Sequence, residues 1–155
     1  KRGVGELLPA ENADSFDLQR FVDAQAPVYE AVLGELRSGR KRGHWIWFVF
    51  PQLRGLGHSP TADHFGISSL AEARAYLAHP VLGPRLCECT RLVARIESNS
   101  AEDVFGWPDN LKVRSSMTLF ARSAADPQTQ ADFRAVLDKF YDGAEDPVTV
   151  EYLAR

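Results

Sequence analysis

Nine prolines divide this chain of 155 residues into short segments, and that division limits what it can fold into more than any other feature. Proline lacks the backbone N–H that a helix interior or a central strand needs, so each one closes an element or opens the next at its first turn. Pro27, Pro51, Pro60, Pro80, Pro84, Pro108, Pro127 and Pro147 therefore favour an array of short elements over a regular bundle of long helices.

Between the prolines, apolar residues recur at helical spacing. Asp14 is placed to cap the N–H of Asp17 and open a helix carrying Leu18, Phe21 and Val22, ending near Gln25. Pro27 suits the first position of a second helix with the stripe Val28, Tyr29, Val32, Leu33 and Leu36. Gly39 terminates it, and Arg37, Arg40, Lys41 and Arg42 meet its negative end. Ser69-Leu70-Ala71-Glu72 forms a capping box ahead of Ala73 and Leu77. After Pro80, the residues Leu82, Leu86, Cys89, Val93 and Ile96 give the strongest periodic signal in the chain. Asp109 is expected to cap a helix bearing Val113, Met117, Phe120 and Ala124. A further helix over residues 129–141 presents Phe133, Val136, Leu137 and Phe140 and stops at Gly143, and residues 148–154 add a short terminal turn.

Residues 44–50 resist this reading. His44-Trp45-Ile46-Trp47-Phe48-Val49-Phe50 is aromatic and β-branched, which locally favours a strand. It lacks polar alternation, no convincing partner strand follows, and a buried helical turn fits the same pattern. The fold expected is all-α: a compact multihelical single domain of short helices over residues 14–155, with residues 44–50 as a buried turn or an irregular or extended segment. Residues 1–13 mix glycine, proline and charge and read as a flexible lead-in.

Composition narrows the functional classes. Hydrophobic residues make up 45% and charged residues 25%, enough for one core and far from a disordered or fibrous chain. The formal net charge of −3 gives no general attraction to nucleic acid or anionic lipid, so any anion site must be local. The longest apolar run, residues 45–50, is too short to cross a bilayer, and Pro9 and Glu11 directly after Leu7 and Leu8 do not read as a signal peptide. Cys87 and Cys89, two apart on an expected helix, neither bridge readily nor form a CxxC motif, and no metal site or cofactor is indicated. A cytoplasmic location with reduced thiols follows as the expectation.

Several long ordered motifs carry a resemblance. They are Phe16-Asp17-Leu18-Gln19-Arg20-Phe21-Val22 with Ala24-Gln25, the stretch from Gly39 to Leu53, and Ser69 to Leu77 followed by His79-Pro80-Val81-Leu82-Gly83 and Arg85-Leu86. Phe105-Gly106-Trp107-Pro108-Asp109 and Lys112 to Phe120 complete the set. Over residues 14–155 the chain resembles the bacterial domain of unknown function family 1810 (DUF1810). The resemblance implies a single multihelical domain, favours helix for residues 44–50, and brings no established reaction. Gly43 stands where similar proteins often have serine, and Ala26 takes the place of a polar cap before Pro27.

Two polar regions remain as candidates for chemistry. In the first, Arg42 can neutralise phosphate or carboxylate, Trp47 can stack on a flat ring, Gln52 can donate and accept, and His44 is the best acid–base candidate. The plainer reading is a helix end rich in solvated cations followed by core tryptophans. In the second, Lys112, Arg114 and Ser115 follow a helix start, where free N–H groups favour anions, although no Walker P-loop is present. Ordinary capping and helix-surface polarity also explain this group. The leading expectation is binding of a phosphate-containing or other anionic small molecule, with a nucleotide-like ligand as one form. The alternatives are a hydrolase or glycosidic-bond-cleaving enzyme using His44, and a protein-interaction or structural module displaying tryptophans. Nucleic acid ranks below all three.

Overall fold

The computed structural model describes residues 14–155. The lead-in expected over residues 1–13 lies outside the described residues. Ten helices follow one another: α1 (Gln19–Gln25), α2 (Tyr29–Ser38), α3 (Ile46–Val49), α4 (Pro60–His64), α5 (Leu70–Ala78), α6 (Leu82–Ala94), α7 (Ala101–Phe105), α8 (Asp109–Ser123), α9 (Pro127–Tyr141) and α10 (Pro147–Ala154). The all-α expectation holds: the described residues contain no strand, only an isolated parallel bridge between Leu53 and Ile67. No helix among them is long and apolar enough to cross a membrane.

Helix α8 is the hub. It packs on α9, α5, α7, α10 and α3, while α6 packs on α9, α5 and α2. Every residue from Ser115 to Ala121 is buried, so α8 is enclosed nearly all round rather than along one stripe. Small hydroxyl residues sit within this buried stretch, and the Ser116 hydroxyl has no hydrogen-bond partner among the described residues. The Thr118 hydroxyl donates to the carbonyl of Arg114 one turn back, at 2.8 Å.

The helix ends follow the proline and capping signals, with shifts of a residue or two. Ser69 caps α5 by accepting the Glu72 N–H at 3.1 Å. Asp126 and Asp146 cap α9 and α10, with Pro127 and Pro147 in the first turn. The Asp14 carboxylate accepts the N–H groups of Leu18 and Gln19, whereas the N–H of Asp17 donates to the Asp14 carbonyl. Pro27 lies in the turn before α2, which begins two residues later. Asp109 is itself the first residue of α8 and makes no side-chain cap, its carboxylate being engaged by two lysines.

The ambiguous segment is helical. Ile46, Val49 and Phe50 at i, i+3 and i+4 are all buried, and Trp47 and Phe48 are half-buried. With no partner strand, a helical turn is how this apolar run satisfies its backbone in the core. Buried Gln25 completes it by donating to the carbonyl of Phe48 at 2.7 Å. A second buried polar device holds α1 to α5. Arg20 donates to the carbonyls of Phe16, Asp17, His64 and Gly66 and to the Glu72 carboxylate at 2.8 Å. Glu72 in turn accepts from the N–H and hydroxyl of Ser68.

Candidate functional site

Folding brings part of the two polar regions together. Lys41 leaves the end of α2, donates its backbone N–H to the Val104 carbonyl, and pairs with Asp109 at 2.8 Å. Asp109 also takes Lys112 at 3.4 Å. The Lys112 ammonium stands 5.0 Å from the centre of the Trp47 ring, and that of Lys41 stands 5.2 Å from the Trp45 ring. Trp47, Gln52 and Lys112 therefore line one cleft with Phe50, Phe65 and Gly66. The open space inside is about 10 Å³, the room of a single water.

The loop joining α2 to α3 is fixed by Glu35. Its carboxylate accepts the N–H groups of Arg42 and Gly43 at 2.7 and 2.9 Å and the Trp45 indole N–H at 2.9 Å. Burial acts to raise this carboxyl, but the two backbone bonds, the indole bond and the Lys41 charge together lower it below its ordinary value. Arg42 and His44 project into solvent from this loop. The His44 imidazole makes no hydrogen bond among the described residues, and it does not line the Trp47 cleft.

Arg114 and Ser115 serve a different junction. Arg114 donates to the carbonyls of Ala144 and Glu145, and the Ser115 hydroxyl donates to Asp146 at 2.8 Å. Thr149 also donates to Asp146, and the Asp146 N–H donates to Thr118. These bonds dock α10 against α8, and they place Arg114 and Ser115 outside the Trp47 cleft.

A larger concavity lies elsewhere, on the face formed by the end of α5, the outer side of α6 and the turn between α8 and α9. It measures about 610 Å³. Leu77, Ala78, Pro84, Ala124 and Ala125 supply an apolar wall, with Arg74, Arg91, Asp126 and the Cys87 thiol facing the space. At one edge of the groove α5 and α6 meet closely at Gly83, where a Cβ would come within 2.1 Å of the Leu77 carbonyl oxygen. Asp126 is occupied in capping Thr129, and Arg91 bonds Asp132 through Nε at 3.0 Å. Arg74 has no carboxylate within 4 Å among the described residues. Burial pushes the Cys87 thiol above its ordinary value, against the pull of nearby Arg91. Among the described residues, no group of three or more His, Cys, Asp or Glu is placed to hold a metal ion.

Arg74, Leu77 and Gly83 of this groove lie in the motifs that carry the family resemblance, but no motif of known chemistry marks it. Cys87 and Arg91 are one turn apart on the exposed side of α6, a spacing any surface helix shows, and only the packing of α5 and the α8–α9 turn makes them line a groove.

A family model described as a protein of unknown function (DUF1810) matches residues 15–153. The chain belongs to the DUF1810 family. Among solved structures, it is similar to the conserved hypothetical protein Rv1873 from Mycobacterium tuberculosis. That match has 62% sequence identity and a TM-score of 0.88, and it covers 92% of this chain and 99% of the other. No curated protein matches this DUF1810 chain.

Proposed function

We propose that this DUF1810 domain binds a small phosphate-containing or otherwise anionic molecule in the groove between α5, α6 and the α8–α9 turn. One observation carries the reading: a cavity of about 610 Å³, within the size range of small-molecule sites, whose apolar wall is edged by Arg74 and Arg91. The wall offers burial to the body of a ligand, and planar guanidinium groups offer paired hydrogen bonds to phosphate or carboxylate. The Trp47 cleft, with room for one water, does not offer a small molecule comparable space. A cleavage role is weaker, because the acid–base candidate His44 is not among the groove's lining residues. A cytoplasmic location fits the two free thiols.

Calorimetric titration with phenyl phosphate tests the binding role. Saturable binding to the wild type is expected, weakened in Arg74→Gln and abolished in Ala125→Trp, which fills the groove from an exposed position. Absence of saturable binding, or an Ala125→Trp variant that binds as well as wild type, would remove the proposal.

A specific observation also supports a protein-interaction role. Among the described residues, the exposed large hydrophobic residues fall on two helices and the turn before one of them, with Trp107 at 70% and Leu111 beside α8's start, and Val148 and Tyr152 on α10. Light scattering across a concentration series, with Trp107→Ser as control, tests self-association through Trp107 and Leu111. A monomer at every concentration would count against it.

A further inference from the structure

The charges around the groove between α5, α6 and the α8–α9 turn are not equally available to a ligand. Gly83, Cys87 and Arg91 follow one another at i, i+4 and i+8 along α6, and Arg74 and Ala78 are one turn apart on α5, so each helix presents a row to the same space. Asp126 and Thr129, at the start of α9, line it from the third side. Its charged lining is thus Arg74, Arg91 and Asp126. Asp132 adds a second carboxylate, because it pairs with Arg91 at 3.0 Å.

These two guanidiniums and two carboxylates sum to no net charge. Arg91 is already matched by Asp132, whereas Arg74 has no carboxylate within 4 Å among the described residues. The Cys87 thiol registers the same division. Burial is the largest cause of its raised pKa, Arg91 pulls the value down, and Asp132 and Asp126 both push it up. On the α6–α9 side, two carboxylates therefore act against one guanidinium.

Moving an ion from water onto an apolar wall costs free energy that grows with the square of its charge, while its attraction to one free cation grows only in proportion. A single negative charge is met by Arg74. A second charge meets only the Arg91 guanidinium, already matched, and is repelled by Asp126 and Asp132.

We propose that the groove selects a singly charged anion on an apolar body, a carboxylate or a phosphodiester, with Arg74 holding the anion and Asp126 disfavouring doubly charged phosphomonoesters. This rests on the groove being a ligand site, and it adds the charge class of the ligand and the residues that set it.

Calorimetry on the whole protein at about pH 8 tests it with four probes that carry one benzene ring each: phenylacetate, methyl phenyl phosphate, phenyl phosphate and uncharged benzyl alcohol. The two phosphates differ by one charge, because a phosphomonoester loses its second proton at about pH 6 and the diester has none to lose. Phenylacetate and methyl phenyl phosphate are expected to bind about fivefold or more tightly than phenyl phosphate. In Arg74→Gln both monoanions fall to the level of benzyl alcohol. Asp126→Asn and Asp126→Ser keep a capping oxygen on α9 but remove the charge, and in both the gap between the two phosphates closes because phenyl phosphate gains.

Phenyl phosphate binding as tightly as the diester, or a gap that survives both Asp126 variants, overturns the charge selection while leaving the groove as a site. A preference confined to one of the two monoanions means that shape and not charge is read, and overturns it as well. Binding of none of the four probes overturns both readings.

Discussion

The Trp45 indole donates to the Glu35 carboxylate at 2.9 Å, and the same oxygen takes the backbone N–H groups of Arg42 and Gly43. A single carboxylate thus fixes the loop from which α3 enters the core. Since its folded pKa lies below the unfolded value, its stabilisation is present above the unfolded pKa of about 4.3 and fades as pH falls through the folded value. Glu35→Gln is expected to lower stability near neutral pH by about 1–2 kcal/mol, on the scale of a charge-assisted hydrogen bond. Urea unfolding at pH 7 and at pH 3 checks it, with the gap between variant and wild type closing in acid. A gap that stays constant over that range would exclude the charge as the cause.

Arg20 and Glu72 form an ion pair whose side chains are 7% and 2% exposed. Removing one partner leaves the other charge buried without compensation, and Arg20→Ala should cost about 3–5 kcal/mol. Arg20→Lys should recover only part, because a lysine cannot reproduce bonds to four carbonyls and a carboxylate. Thermal and urea unfolding of the two variants give the comparison. Equal stability of Arg20→Lys and wild type would mean that charge alone holds the junction.

Gly83→Ala places a methyl group against the Leu77 carbonyl and must push α5 and α6 apart. An overpacking cost of about 1–3 kcal/mol is expected, seen as a lowered unfolding midpoint. The same displacement alters the groove, so ligand affinity should change with stability. An unchanged midpoint would show that the two helices separate freely.

The thiols give an independent view of the groove. Cys89 is buried and its thiol is pushed up to about 12, by burial first, with the Tyr29 hydroxyl bond opposing. Cys87 is half-buried and raised as well. A disulfide reagent should modify one thiol per native chain, more slowly than free cysteine at neutral pH and faster as pH rises, because the thiolate is the reacting form. The second thiol should react only in denaturant. Bound ligand should protect Cys87, and rapid native modification of both thiols would contradict this burial.

How much of this was legible in the sequence depends on the range of the interactions. Prolines and caps are local, so the helix order emerged from Pro127, Pro147 and Ser69 without tertiary information. Residues 44–50 were ambiguous because strand propensity is local while the deciding bonds come from Glu35 and Gln25, ten or more residues away. Lys112 and Trp47 were singled out separately and do meet. Arg114 and Ser115 share a helix with Lys112 but project toward the α10 junction, a matter of helical phase against a partner not identifiable from spacing. The α5–α6 groove carries no motif of known chemistry, because Arg74, Arg91 and Ala125 come from separate parts of the chain and each looks like ordinary surface.

The most direct measurement is a map of backbone amide shifts as phenyl phosphate is titrated into the labelled protein. Ligand binding in the groove predicts saturable changes concentrated at residues 77–91 and 123–129, with the amides around Trp47, Gln52 and Lys112 unmoved. Changes confined to the Trp47 cleft, or none at saturating phosphate ester, would contradict it.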